Sequence, residues 1–239
     1  GNKADKYELI TGDPEGLELA RSAASLNYLD MIMVNSLSQN HEISVTRGNQ
    51  ASSFNVSLGY LNDNGMLRND NMNRYNFKVG VDHKISKTIK IGANVLLTKK
   101  DYNKRNSSVF NQALKAGPIG KLYEDDGITY RPIPDLVFAY NQNSPMLDEV
   151  EGAASRIINN TRVFSNLYAE WNILPSLTFK STLGIDISTN KDGQFNGPKS
   201  LSQATVGKSI SSLSYSDNFG YTLDNTLNYS KRFGIHNIQ

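Results

Sequence analysis

The stretch from His41 to Thr98 alternates apolar and polar residues with a period of two through three successive segments. The apolar positions are every second residue of Phe54–Tyr60, Tyr75–Val81 and Ile89–Leu97. This period predicts β-strands, because successive side chains of a strand point to opposite faces. Each segment is about ten residues long, whereas strands of globular sheets are commonly about 5–6 residues. A tilted strand needs about 9–11 residues to cross a bilayer, so the stretch predicts part of a transmembrane β-barrel.

The same alternation returns three times after a long interruption. It marks strands at 161–173, 177–188 and about 212–230, and a shorter first strand is predicted at Glu42–Arg47. Tight turns follow the first, third, fifth and seventh strands, and longer connections follow the others. An antiparallel meander that keeps all short turns at one barrel end gives this pattern. We therefore predict an all-β fold, an antiparallel transmembrane β-barrel segment of about seven strands.

The parts without alternation define the predicted organisation of the chain. Residues 1–40 are a predicted connecting segment with a possible short helix around Leu17–Ala24, for which Asp13 is a plausible N-cap before Pro14. Residues 41–239 are the predicted barrel part, with long extracellular loops at 99–159 and 190–208. An eighth strand is expected to begin within 235–239. Seven strands would leave unpaired edges, which lipid does not tolerate, so the barrel is expected to be incomplete within this chain.

A soluble antiparallel sandwich or barrel is the main alternative, because it shows the same alternation. Two features favour the membrane. Aromatic residues near predicted strand ends suit interfacial girdles: Tyr60, Tyr75, Trp171, Tyr221 and Tyr229. The polar faces carry mid-strand charges, which a dry core would exclude and a wet lumen accepts: Lys78, Lys90, Glu170, Lys180 and Asp224.

The composition excludes several function classes. The net charge is only +2 without a clustered basic helix, so nucleic acid is not an expected partner. The chain contains no cysteine, which removes disulfides and cysteine-based zinc sites. The three histidines, His41, His83 and His236, lie far apart, and Glu124–Asp126 lacks the spacing of a calcium loop. We expect no enzyme activity, and no catalytic residue, cofactor or metal is assigned.

The residue motifs of the first strands are more specific for a protein family than the periodicity of those strands. The stretch QNHEISVTRGNQASSFNVSLGYLNDNGMLRNDNMNRYNFKVGVDHKI contains an Asn-His pair before Ile43–Thr46, the Ser-Leu-Gly-Tyr of Ser57–Tyr60, and Arg74–Asn76 after Gly65. It resembles the barrel of the SusC/RagA-like TonB-dependent outer-membrane transporters. The segments NNTRVFSNLYAEWNILPSLTFKSTLGID and NTLNYSKRFGIHNI look similar to that family as well, so the resemblance covers about residues 27–239. Arg47 departs from it, since the family commonly has a small residue there.

The resemblance implies a plugged barrel of roughly 22 strands in the outer membrane of a Gram-negative bacterium, crossed many times by the chain. It implies active import of bulky nutrients, glycans or peptides, with a SusD-like surface lipoprotein as lid and with TonB coupled through a region outside this chain. Outer-membrane lipid would surround the wall. A non-transporting barrel scaffold in an outer-membrane assembly, or a soluble β-sandwich binding module, are the alternatives. Four loop aromatics are candidate contacts for substrate or lid, although such residues also anchor loops: Tyr123, Tyr130, Phe138 and Tyr140.

Overall fold

Seven antiparallel strands form one open sheet in which every strand pairs with its neighbours in sequence. The computed structural model describes residues 25–118, 120–132 and 143–238. The strands are β1 (Gln39–Gly48), β2 (Ser52–Asn64), β3 (Asn71–Lys84), β4 (Ile89–Asn103), β5 (Ala154–Leu174), β6 (Leu177–Asn196) and β7 (Ile210–Tyr229). Short turns join β1 to β2, β3 to β4 and β5 to β6 at one end of the strands. The longer connections all lie at the opposite end of the strands, which we call the loop end. The predicted meander of seven strands is confirmed.

The register places apolar and polar residues on opposite faces of the whole sheet. One cross-strand row is entirely apolar: Ile43, Leu58, Phe77, Leu97, Val163, Ile187 and Phe219. A row on the other face is polar or glycine throughout: Thr46, Asn55, Gly80, Asn94, Asn166, Gly184 and Thr222. Register and alternation therefore agree in all seven strands, and we call the two surfaces the apolar face and the polar face.

The apolar face is uncovered, and its height fits a bilayer. On β5 it runs from Val163 to Ile173, which is about 34 Å along the strand at about 3.4 Å per residue. At a tilt of about 45° this corresponds to about 24 Å along the membrane normal, close to the apolar band of about 25 Å in transmembrane barrels. Trp171 is 51% exposed and Leu223 60% exposed on this face. A soluble sandwich would bury such residues under a second sheet, whereas all seven strands here lie in one.

Four of the five aromatic residues predicted near strand ends lie toward the two ends of the apolar face. Tyr60 and Tyr75 are cross-strand neighbours toward the loop end, with ring centroids 5.3 Å apart. Trp171 and Tyr229 lie toward the short turns. Tyr221 pairs with Ile185 and is the twelfth of the 20 residues of β7, so the prediction that it lies near a strand end is wrong. The reason is that β7 continues for many residues toward the loop end beyond the point where its sequence begins to alternate.

The later strands are longer than the sequence pattern indicates. β4 continues to Asn103, β5 begins at Ala154 and β6 ends at Asn196, so the connections are 104–153 and 197–209, and their bounds differ from the predicted 99–159 and 190–208. Beyond the apolar band both faces meet water, so alternation stops while backbone pairing continues. Polar contacts across the strands replace it: Arg156 Nε lies 3.1 Å from Asp192 Oδ1, and Asn159 Nδ2 donates to Asp101 Oδ1 at 2.8 Å.

A glycine on β4 allows a polar contact between strands that are not neighbours. Asp82 on β3, Gly92 on β4 and Tyr168 on β5 lie in one row of the polar face. The Tyr168 ring lies over Gly92 and its hydroxyl donates to the Asp82 carboxylate. A Cβ atom at position 92 would overlap the Tyr168 ring, so only glycine leaves room for the ring in this position. The contact fixes three strands relative to one another.

The remaining elements are short. Helix α1 (Tyr28–Ile32) begins after Asn27, whose side chain accepts a hydrogen bond from Asp30 N. Helix α2 (Ser108–Lys115) and a 3₁₀ helix (Pro145–Glu149) lie in the connection between β4 and β5. At the C-terminal end, β8 (Lys231–Phe233) pairs with β9 (His236–Ile238) around a turn at Gly234, so the predicted eighth strand forms its own hairpin here. The helix predicted around Leu17–Ala24 lies outside the described residues. No described helix has the length and apolar character needed to cross a membrane.

Candidate functional site at the loop end

The buried hydrophobic core of the described residues lies beside the sheet, among the loops of one end. Its members come from segments far apart in sequence: Tyr28, Ile32, Val109, Ala113, Met146, Leu147 and Leu201. We call this assembly the loop lobe and define it as residues 25–34, 65–70, 104–118, 120–132, 143–153 and 197–209. Ile32 and Val109 are completely buried. Such burial is unusual for a connection between strands, where Val109 lies. The loops therefore form a packed unit.

The sequence explains why these segments pack. In α1, Tyr28 and Ile32 are four residues apart and so share one face of the helix. In α2, Val109 and Ala113 have the same spacing, and the two helices meet along these faces. Pro145 begins the 3₁₀ helix, which presents Met146 and Leu147 to the same core. Each helix is too short to be stable alone, so the lobe depends on the contact between them.

A buried charged group ties the loops to one another. Arg105 is 8% exposed; its Nη1 donates to the Asp148 carbonyl oxygen at 2.7 Å and its Nη2 to Glu149 Oε1 at 2.6 Å. Its backbone N–H reaches Asp70 Oδ1 in the β2–β3 connection at 3.4 Å. Asp148 Oδ1 accepts from the Leu201 N–H at 2.7 Å. Through these contacts three separate connections are held at fixed positions.

The burial of the two acids makes the lobe sensitive to pH. Burial raises the pKa of the Asp148 carboxyl, against the opposing effects of the Leu201 N–H and the Arg105 charge. Burial also raises the pKa of Glu149, which Arg105 and Arg68 oppose. A raised pKa means that the folded lobe binds protons more tightly than the unfolded chain. The contribution of these groups to stability is therefore greatest at low pH and falls as the pH rises from the ordinary carboxyl value of about 4 through the raised values.

Two of the four aromatic residues singled out in the sequence lie together on a small hairpin of the lobe. Tyr123 and Tyr130 form an isolated antiparallel bridge, and their rings stack with centroids 5.0 Å apart at an interplanar angle of 21°. Tyr130 also packs against the lobe core, whereas Tyr123 is 37% exposed. The hairpin thus presents one supported aromatic face outward. Phe138 and Tyr140 lie outside the described residues.

The hairpin turn is built by the acidic run at 124–126. The Thr129 hydroxyl donates to Asp126 Oδ2, and the backbone N–H groups of Ile128 and Thr129 donate to Asp126 Oδ1 at 2.9 and 2.8 Å. The hydroxyl bond has the largest effect on the pKa of the Asp126 carboxyl, and all three bonds lower it. Glu124 lies 3.7 Å from Arg131 across the hairpin. Among the described residues no group of three or more potential ligand side chains could hold a metal ion. The acids of this run shape the turn.

The polar face below the lobe carries charges that contact one another. Arg162 on β5 binds Asp186 on β6 through two guanidinium nitrogens, with Nε 2.8 Å from Oδ1 and Nη2 2.5 Å from Oδ2. On β2, the Ser57 hydroxyl donates to Glu42 Oε1 at 2.7 Å. Together with neighbouring amides these groups line a concave surface, which encloses a volume of about 930 Å³. Such a surface can bind a large polar molecule.

Sequence reasoning missed Arg105, Asp148 and Leu201. The contacts of Asp148 with Arg105 and Leu201 join residues 43 and 53 positions apart, and no local pattern marks them. Pro145 before Met146 and Leu147 was the available signal of an ordered turn inside the long connection.

Replacing Arg105 with Met should loosen the lobe. The change removes one partner of a buried ion pair and leaves Glu149 without its counter-charge, which costs about 3–5 kcal/mol. Hydrogen exchange of the purified full-length protein should show lost protection at 104–118 and 143–153 with the sheet unchanged. The matched control is Arg131→Met, because Arg131 and Glu124 are 27% and 44% exposed, and exposed pairs contribute at most about 1 kcal/mol. Equal effects of both variants would contradict the role of Arg105.

Comparisons with known proteins agree in sequence and in fold. The chain is 26% identical over 227 residues to TonB-dependent receptor P3 of Formosa agariphila, covering 90% of the chain and 22% of that protein. It is 21% identical to TonB-dependent receptor SusC of Bacteroides thetaiotaomicron, in an alignment that covers 98% of the chain and 26% of SusC. No protein-family profile matches it. The chain thus spans about a fifth to a quarter of the length of these curated relatives.

Among solved structures the chain resembles one chain of the RagAB peptide importer. In its closed-closed state the TM-score is 0.70 at 16% identity, over 88% of this chain and 24% of that one. In the open-open state the TM-score is 0.65 at 18% identity. These TM-scores show a shared fold, and the curated relatives above align in sequence with nearly the whole chain. On both grounds the chain is similar to the SusC/RagA-like TonB-dependent receptors over most of its length, which confirms the resemblance of the β1–β3 motifs.

Proposed function

We propose that this chain forms part of the wall and outer loops of a TonB-dependent active importer of bulky nutrients in the outer membrane of a Gram-negative bacterium. The observation that carries the proposal is the sheet itself, which has a bilayer-high apolar face, a polar face and a packed lobe at one end. A barrel built this way separates lipid from a wet lumen. Energy coupling through TonB belongs to a region outside this chain.

The lobe is the part of the chain suited to meet cargo or a lid. It lies at the end of the sheet where the long connections gather, which we assign to the cell exterior because outer-membrane barrels keep their longer loops there. Its buried core and the Arg105 contacts hold it in one conformation, which reduces the entropy lost on binding. We propose that it contacts a SusD-like surface lipoprotein and the entering substrate.

Glycans and peptides are the proposed substrate classes. Tyr123 supports either one, because an exposed ring can stack on a sugar or pack against an apolar side chain. The similarity in fold to a peptide importer favours peptides, and that substrate is known here only for the RagAB structures. Tyr130 supports Tyr123 from below and anchors the hairpin in the lobe.

Energised uptake by the full-length protein tests the proposed function. Cells that carry the complete gene should accumulate fluorescent oligopeptides or oligosaccharides. This accumulation should stop when TonB is deleted, although the amount of barrel in the outer membrane stays the same. An empty-vector strain and a strain with the lid gene deleted are the controls. A barrel that stays in a stable outer-membrane complex, with identical accumulation whether or not TonB is present, would instead support the scaffold alternative.

Tyr123→Ala should weaken binding of substrate or lid by about two- to tenfold. An aromatic contact is worth about 0.5–1.5 kcal/mol, and about 1.4 kcal/mol corresponds to a factor of ten. Fluorescence anisotropy with the purified full-length protein gives the Kd. Tyr123→Phe is the matched control and should bind nearly as the wild type, because it keeps the ring. Unchanged affinity of Tyr123→Ala for every cargo and for the lid would show that this tyrosine only anchors the hairpin.

A further inference from the structure

The polar face carries three cations that line its concave surface and form no ion pair among the described residues. Arg74 on β3 and Lys100 on β4 are direct cross-strand partners, and Lys78 lies on the same face of β3. We call these three residues the cationic patch. Arg74 and Lys78 are four residues apart, which is about 13 Å along the strand. We propose that the cationic patch binds carboxylate, sulfate or phosphate groups of the cargo, an inference that rests on the proposed import function.

The surrounding charges show what is unusual about the patch. The two arginines of β5 have acidic partners: Arg162 pairs with Asp186 and Arg156 with Asp192. No member of the patch forms an ion pair with any acid among the described residues. The nearest acid on β1, Glu42, already accepts a hydrogen bond from Ser57.

This arrangement costs stability unless an anion is bound. Like charges directly opposite each other in a sheet are destabilising, and Arg74 and Lys100 occupy such positions. The Arg74 Nε is buried and has no hydrogen-bond partner among the described residues. Lys78 is exposed and Arg74 and Lys100 are half-buried, so all three can be reached from the lumen side. A bound anion would satisfy both the charge and the Nε donor.

The neighbours of the patch fit a hydrated, polar cargo. Asn40, Asn76, Thr98 and Asn160 line the same concave surface, and the Thr98 hydroxyl donates to Asn76 Oδ1 at 3.0 Å. Its volume of about 930 Å³ lies at the upper end of the range for small-molecule sites, about 300–1,000 Å³. Amide groups beside free cations can bind the hydroxyl, carbonyl and acidic groups of an oligosaccharide or a peptide.

Position favours cargo over an acidic segment of the same protein as the occupant. Arg74 and Lys100 each lie three residues from the loop-end terminus of their strands, Asn71 and Asn103. The patch is therefore at the top of the polar face, directly below the lobe where a substrate would enter. A cationic wall at an entrance also raises the local concentration of anionic molecules.

The test measures binding of matched charged and neutral probes to the full-length protein in detergent. The probes are oligogalacturonate with its methyl ester and oligoglutamate with oligoglutamine. The patch variant is the triple change Arg74→Gln, Lys78→Gln, Lys100→Gln. The control is Lys84→Gln, Lys87→Gln, Lys99→Gln, which removes the same charge from positions outside the patch.

We expect one of the anionic probes to bind at least about tenfold more tightly than its neutral partner at low salt, a preference that falls as salt rises. The patch variant should lose this preference and the control should keep it. Equal affinities for charged and neutral probes, or an unchanged preference in the patch variant, would overturn the proposal. A lower melting temperature of the patch variant without any change in probe preference would also overturn it and assign the patch to an acidic segment of the protein.

The outcome is separable from that of the proposed function. If the patch variant still takes up a neutral cargo in a TonB-dependent way, the proposed import function stands. The binding of the charged and neutral probes then decides the anion preference separately. Absence of energised uptake in the wild type would count against the import function, whatever the probes show.

Discussion

The seven-stranded sheet depends on an unbroken ladder of backbone hydrogen bonds between antiparallel neighbours. In lipid an unpaired N–H or C=O costs several kcal/mol, so a chain that crosses a bilayer as strands must pair all of them. The register runs without a shift from Ala154↔Asn196 to Asn172↔Thr178 between β5 and β6, and without any shift between β6 and β7. That continuity sets which side chains face lipid, since a slip of one residue would exchange the two faces.

The hydrophobic effect acts differently in the two parts of the molecule. The sheet leaves its apolar side chains uncovered, which lipid accepts and water does not. The lobe buries Ile32 and Val109 completely, in the manner of a small water-soluble domain. Pre-formed loops at the mouth of a barrel need such an internal core because lipid cannot order them. The division therefore matches the two solvents that an outer-membrane importer meets.

The sequence predicted the sheet well because the bilayer imposes period-two alternation along each strand. Prediction failed where that constraint ends: nothing in residues 154–160 or 190–196 alternates, yet both segments pair in strands. The pairing of Tyr123 with Tyr130 lies within one hairpin, and both residues were identified as candidates. The contacts of Arg105 with Asp148 and Glu149 join distant loops, and only the folded chain brings them together.

Cysteine labelling along β6 tests the assignment of the two faces most directly. The chain has no cysteine, so each substitution introduces one new thiol within it. The substitutions are made in the full-length protein without other cysteines, and labelling is done in native membranes. The thiols of Thr182→Cys and Asp186→Cys should react with a water-soluble maleimide. Those at Leu183, Ile185 and Ile187 should stay unreactive until detergent is added. Equal reactivity at all five positions, or protection at the polar positions instead, would contradict a wall with lipid on one face and an aqueous lumen on the other.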